Sequence, residues 1–371
     1  MTGTRGLWRR ALLVALALVA LQLGSLVAPA YACGCGAMVP QSGRQLSVRQ
    51  ETSAVRWDGR SEQIVMRLTV DGNAPRAAWI MPVPSRATVK LGDRHLFDQL
   101  EEISAPVHRT RSYFWPKDGD WPFAEDRSVG DGAPRAAAKP PVEVVGRERL
   151  GPFDVARLTA TDPTALRDWL AHNGFELPQA LATELRPYVD QKWEYVAIRL
   201  APDQVGQTLG GPLDPLSLTF ASDRPVYPMR LSRLARTPQT LNLYLLGTHR
   251  METASAIGGY EPQTLFAGRV THPGGALGDL TGQAPSVYVT ALTQYFAQPS
   301  KITGDHEIRQ APTDTPFQRA WYTEELMTVG GAPAWLVTVV GGALVVAAGA
   351  GLTVWRLRAR RVAPAPYRNA V

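Results

Sequence analysis

Cysteine is almost missing from this chain: its 371 residues include two, Cys33 and Cys35. At most one internal disulfide is therefore available, and a metal or redox site on these residues needs partners that the sequence does not place. Histidine is sparse and scattered: His95, His108, His172, His249, His272 and His306. No two of them stand at helical ligand spacing, and neither H-E-x-x-H nor G-x-S-x-G occurs. That removes the motif-borne zinc and serine hydrolases from consideration. The glycine-rich stretch 258–282 lacks the strand-loop-helix context of a phosphate loop and reads as an irregular connection. No fixed-period repeat is present, so solenoid and propeller architectures are not indicated. Lysine is nearly absent too, at five against 34 arginines, an imprint of a GC-rich genome that says nothing of mechanism.

The formal charge of +6 is not what it first suggests. Arg5, Arg9 and Arg10 lie at the start of the chain, and Arg356, Arg358, Arg360, Arg361 and Arg368 at its end. The stretch between carries 31 basic and 33 acidic residues, a net charge of −2. There is no basic footprint for nucleic acid there, and no such partner is expected.

Two apolar runs set the organisation. Residues 335–355 contain no charge and are bounded by Trp335 and Trp355. As a helix they rise about 31 Å, close to the ~30 Å hydrocarbon core of a bilayer. The tryptophans suit the two interfaces, and Arg356 and Arg358 begin a basic flank that stays cytoplasmic. A buried core helix seldom runs this long without a charge. At the other end, a basic start is followed by an apolar run from Ala11 to Val27 and then Ala30-Tyr31-Ala32, the small-x-small pattern of a signal-peptidase site. The expected organisation is a signal peptide (1–32), an extracytoplasmic domain (33–331), a transmembrane helix (332–355) and a basic cytoplasmic tail (356–371). The predicted location is the cell membrane, single-pass, with the large domain outside.

The mature chain would open on Cys33-Gly-Cys35-Gly. A disulfide between Cys33 and Cys35 suits an oxidising compartment, although a ring with one intervening residue is strained. Lipidation of Cys33, a metal or redox role, and unpaired thiols stay open as alternatives. Within the outer domain, residues 46–57 read as a strand, and Ile64, Met66, Leu68 and Val70 alternate with more polar neighbours, the period of a half-buried strand. Residues 77–81 form a third, apolar strand. Asp58-Gly59 and Asp71-Gly72 supply turns, so the three read as an antiparallel meander. A helix is expected over 94–103, with Leu96, Leu100 and Ile103 on one face.

These residues bring a family into view. A Cys-Gly cluster, an alternating strand, Trp79-Ile-Met-Pro-Val-Pro-Ser85 and Leu96-Phe-Asp-Gln-Leu100 leading to Pro106 occur in order. Asp223-Arg-Pro-Val-Tyr-Pro-Met-Arg230, Leu241-Asn-Leu-Tyr-Leu-Leu-Gly247 and the 290–305 region follow. Together they resemble the bacterial family called domain of unknown function 2330, over roughly residues 33–322. The resemblance implies an exported, often membrane-anchored protein. It implies no activity and no functional residue.

Residues 116–141 hold no apolar period and read as a flexible insertion. Trp115, Trp121 and Phe123 at its start are expected to tuck back onto the domain rather than form a binding patch. Residues 142–149 and 153–160 are expected to pair as a hairpin. Asp162-Pro163 begins a helix that Asn173-Gly174 ends. A second helix over 178–185 should stop at Pro187. Residues 193–200, 216–220 and 241–245 alternate as strands, with Tyr227-Pro228 at an edge or bulge. Residues 286–296 fit strand and helix equally. The fold class is α+β: mainly antiparallel β-sheets, a few short helices and one C-terminal transmembrane helix. Ile64, Met66, Leu68, Trp79, Trp169, Val196, Ile198, Leu218 and Leu243 are the expected core.

Chemistry is thinly signalled. Asp305-His306-Glu307 is the densest polar cluster, but on a strand His306 faces away from its neighbours. Glu101 and Glu102 diverge on a helix. Tyr227, Arg230 and Arg233 are candidates for a ligand-binding rim or, equally, for structural roles. No cofactor is indicated. The best reading is a cell-envelope binding or scaffold module, held in the lipid bilayer by one helix, with an envelope protein or glycan as partner. The alternative is an extracytoplasmic enzyme or redox protein whose site is assembled from distant residues. Ala343, Ala347 and Gly351 recur every four residues in the span, the spacing that permits a weak homodimer through close helix packing.

Overall fold

The computed structural model describes residues 35–118, 120, 153–158, 163–202, 206–258 and 260–361. The chain begins with strands β1 (Ala37–Pro40), β2 (Leu46–Trp57), β3 (Ser61–Gly72), β4 (Ala77–Val83) and β5 (Thr88–Leu91). Helix α1 (Leu96–Ile103) and strands β6 (Val107–Tyr113) and β7 (Phe153–Leu158) come next, then helices α2 (Pro163–His172) and α3 (Gln179–Asp190). Strands β8 (Glu194–Leu200), β9 (Gly211–Pro212), β10 (Leu216–Ala221) and β11 (Val226–Tyr227) precede a 3-10 turn (Arg230–Leu234). Strands β12 (Gln239–Gly247), β13 (Met251–Thr253) and β14 (Gln263–Thr271), helix α4 (Gly275–Leu280), and strands β15 (Ser286–Phe296) and β16 (His306–Gln310) follow. The last elements are β17 (Phe317–Gln318), β18 (Ala320–Leu326), β19 (Thr328–Val329), β20 (Ala332–Pro333) and helix α5 (Ala334–Arg361). This is the α+β class expected.

The described residues divide into two compact units: one from residues up to 106 and from 145 to 319, the other from residues 107–144 and 320 onward. In the first unit, β1, β4, β8 and β7 form an antiparallel sheet in that order. A nine-stranded sheet runs β17-β14-β15-β12-β2-β3-β10-β5, with β9 added to β3. All its pairings are antiparallel except β2 with β12.

Side-chain alternation shows how the layers stack. Met38, Trp79, Met81, Val196 and Ile198 leave one face of the four-stranded sheet and meet Ile64, Met66, Leu218 and Leu243 of the larger sheet in one buried core. Their neighbours Ala37, Val39, Ile80, Tyr195 and Ala197 leave the opposite face and pack on Leu166, Leu170, Leu181, Leu185 and Tyr188 of α2 and α3. The far face of the larger sheet puts Ala54, Val65, Tyr244 and Val289 against α1 and α4. The order is therefore helices, sheet, sheet, helices. β4 is buried along its whole length because both faces are covered, which explains why it reads as a continuous apolar run rather than an alternation. Eight of the nine expected core residues are in these clusters, and Trp169 is partly buried against the second.

Several local expectations change. β2 and β3 make the anticipated hairpin, but β4 leaves it to lie between β1 and β8, because only there are both its faces covered. β7 pairs with β8; residues 142–150 of the expected hairpin, and most of the 116–141 insertion, lie outside the described residues. α3 runs past Pro187 to Asp190. The ring costs one backbone bond, but continuing the helix buries Tyr188 completely. Part of the glycine-rich stretch forms β14 and α4. Residues 286–296 resolve as strand β15.

In the second unit, β6 and β18 pair in parallel as an isolated two-stranded ribbon. β19 and β20 close around Gly330 and Gly331, whose φ values of +60° and +84° fit a tight hairpin turn. α5 begins at once after β20 and stays helical through Arg361.

Candidate functional site

The densest chemistry in the first unit lies between its sheets. Cys35, immediately before β1, carries a free thiol and is wholly buried. Its Sγ is 3.6 Å from Sδ of Met66 on β3 and 3.8 Å from Sδ of Met81 on β4. Cys33, the other half of the expected disulfide, lies outside the described residues. Gly36 makes this approach possible. Its φ is +154°, and a Cβ there would stand 2.4 Å from the Ile80 carbonyl oxygen.

Beside the sulfurs is a buried polar group. Glu51 and Ser53 share one face of β2, two residues apart, and both are buried. The Tyr227 hydroxyl donates to Glu51 Oε1 and lies 2.5 Å from Ser53 Oγ. Burial raises the Glu51 carboxyl above its ordinary range, although Tyr227 and Cys35 hydrogen bonds offset part of this. Burial, then the nearby Glu51 charge, pushes the Cys35 thiol well up. The Tyr227 phenol is raised mainly by burial as well. A second buried carboxylate, Glu62 on β3, accepts from the Val226 N–H at 3.2 and 3.1 Å. Burial lifts it to about 8, against that hydrogen bond. Two buried carboxylates thus grip the short strand β11, one by its backbone and one by its tyrosine.

His306 pairs with Tyr227 across β16 and β11 and is buried. Its Nε2 lies 2.7 Å from Gln294 Oε1, so the network assigns the hydrogen to Nε2. Nδ1 makes no hydrogen bond of acceptable geometry, although the Ser255 backbone is near enough to favour the charged ring slightly. Burial dominates and lowers the histidine to about 4. The flanking residues go elsewhere, as expected. Asp305 accepts from the Tyr188 hydroxyl at 2.7 Å and from the backbone N–H groups of Met229 and Arg230. Glu307 is exposed and paired with Arg224 at 3.1 Å.

An open cleft of about 280 Å³ lies at β13 and the loop after it. Arg250, Glu252, Ser255, Glu261 and Arg309 give it a polar lining of both signs, over Leu292 and Thr253. Arg309 is held by Glu252 at 2.9 Å. The Arg250 backbone N–H donates to Asp314 at 2.7 Å, and its Nη1 to the Thr315 carbonyl at 2.9 Å. The arrangement suits a small polar ligand at the low end of ordinary pocket size.

The anticipated rim does not form. Tyr227 is fully buried, and Arg233 is tied to Glu184 at 3.5 Å. Glu101 pairs with Arg67 at 3.3 Å while Glu102 faces solvent, so the two diverge as read. Trp115 does not tuck back: it is 65% exposed, edge-on to Phe114. Trp121 and Phe123 lie outside the described residues. Glu51, Glu62, Tyr188 and the sulfurs of Met66 and Met81 were not singled out by sequence. The available signal was a carboxylate in register with an apolar strand face, as Glu62 is with Ile64 and Met66.

In the second unit, the most apolar 18-residue window of α5, within Ala334–Ala359, has a mean hydropathy of 2.1, and none of that window is buried. Leu344, Val345 and Val346 are each at least 65% exposed. Trp355 is exposed and Trp335 is mostly covered; Arg356 and Arg358 continue the helix in exposed positions. The helix is long and apolar enough to cross a membrane.

A comparison with curated proteins found no match. Among solved structures the chain is similar to baculovirus P35, at 10% identity and a TM-score of 0.32, covering 71% of this chain and 91% of that one. It is also similar to a mutated baculovirus P35 after caspase cleavage, at 8% identity and a TM-score of 0.27, covering 70% and 99%. At these values neither likeness bears on activity. A family model described as an uncharacterized protein conserved in bacteria matches residues 29–309, so the chain belongs to that family, DUF2330.

Proposed function

We propose that this protein is a membrane-held extracytoplasmic binding module. The observation that carries the reading is α5, a 28-residue helix whose apolar window has no protein cover. Exposed to water, such a surface is strongly unfavourable; hydrocarbon removes the cost, and the helix satisfies its own backbone groups. The arginines from Arg356 onward favour a cytoplasmic end, which puts the large unit outside and agrees with a signal peptide at residues 1–32. Trp335 and Trp355 would then mark the two interfaces. The cleft at Arg250 and Arg309 is the binding surface, and its two signs of charge suit a polar envelope glycan or peptide.

A second reading, an extracytoplasmic redox protein, draws on the buried Cys35, Glu51 and Tyr227 group. The anchor is tested by alkaline carbonate extraction of membranes. Full-length protein should remain in the pellet, and a variant ending at residue 331 should appear in the soluble fraction. Release of the full chain by carbonate would overturn the anchor.

A further inference from the structure

We propose that Cys35, Met66 and Met81 form a binding site for a soft monovalent metal ion, with copper(I) as the biological candidate. The three sulfurs come from three separate elements, the segment before β1, β3 and β4, and converge in the core between the sheets. One thiol has one hydrogen, so it can donate to only one of two thioethers. Cys35 nevertheless holds both within 3.6 and 3.8 Å. Three sulfurs around one ion, each about 2.3 Å from it, stand about 4 Å apart in a trigonal plane. The two measured separations fall within a few tenths of an ångström of that.

The ligand set selects the metal. Thiolate and thioether are soft donors and favour copper(I) over hard cations. On binding, Cys35 loses its proton to solvent and a copper–sulfur bond replaces the S–H bond, so Cu⁺ and S⁻ leave a neutral centre. Binding of the metal drives deprotonation of the thiol. Glu51 and Tyr227, hydrogen-bonded to each other, stand beside the sulfur as its polar neighbours. Ordinary core packing explains a methionine as a gap-filler. It does not by itself bring two thioether sulfurs from different strands within 4 Å of the only described cysteine. Entry would require β1, a four-residue strand at the sheet edge, to part from β4.

The test uses reduced, detergent-solubilised full-length protein, titrated anaerobically with copper(I) against a chromophoric copper(I) chelator. Wild type and Cys33→Ser should each bind one equivalent, and zinc(II) should not compete. Met66→Leu and Met81→Leu, volume-conserving changes that preserve the fold, should each weaken binding about tenfold. The double variant and Cys35→Ser should weaken it at least 100-fold. Copper X-ray absorption should show a first shell of sulfur only. Full-affinity binding by the Met66→Leu/Met81→Leu protein, or by Cys35→Ser, would overturn the site, as would no binding by wild type.

Discussion

Two buried titratable residues give this protein an unusual pH response. Glu62 has an ordinary value of 4.5 and is lifted to about 8 by burial. Between those values the folded state holds a proton that the unfolded state has lost, so stability falls as pH rises. His306 has an ordinary value of 6.5 and is lowered to about 4. Between about 4 and 6.5 the unfolded state binds the extra proton, so there stability rises with pH. The slopes oppose each other from about 4.5 to 6.5; above that Glu62 lowers stability, in the same direction as the raised Glu51 carboxyl. Denaturant unfolding of the solubilised protein should therefore show a shallow plateau near pH 5–6 and a fall of a few kcal/mol between about pH 6.5 and 8. Glu62→Gln keeps an acceptor for the Val226 N–H and removes the ionisation, so it should make that fall clearly shallower, leaving the Glu51 part. An unchanged slope in the variant would mean that Glu62 is not the source.

At the scale of elements, the N-terminal Cys-Gly-Cys-Gly run is a packing device as well as a thiol carrier. Gly36→Ala forces a Cβ to within 2.4 Å of the Ile80 oxygen at a φ of +154°. It should cost about 2–4 kcal/mol through overpacking and backbone strain. Gly59→Ala, at φ +97° with nothing within 4 Å of the added carbon, should cost only the strain, about 1 kcal/mol. Equal losses in the two would refute the close-approach argument. The same scale shows what the sequence could disclose. Alternation exposed β3, β10 and β12, since Gln63, Arg67, Ser217, Thr219 and Asn242 on their other face are more polar and Ile64, Leu218 and Leu243 had to point the opposite way. Partner choice was hidden. Nothing local to residues 77–83 says that β4 crosses to a different sheet, and nothing near Leu243 says that β12 lies parallel to β2. Pro187 and the glycines around β14 misled because propensity yields to tertiary burial, here of Tyr188 and Ala267. The buried polar group was illegible for a different reason: Glu51 and Tyr227 are 176 residues apart, and only the fold joins them.

Taken whole, the chain combines a four-layer unit that buries its own apolar faces with a helix whose most apolar window is left unburied. That contrast was the most legible feature of the sequence, because hydrophobic length and flanking charge need no tertiary information. The direction of insertion is the claim on which the rest depends, since it decides whether the cleft and Cys35 meet the envelope or the cytoplasm. Protease added to intact cells lacking an outer barrier measures it directly. The account predicts loss of the 35–331 region and survival of a small membrane fragment carrying the tail after Arg356. A protected large unit with a digested tail would contradict it.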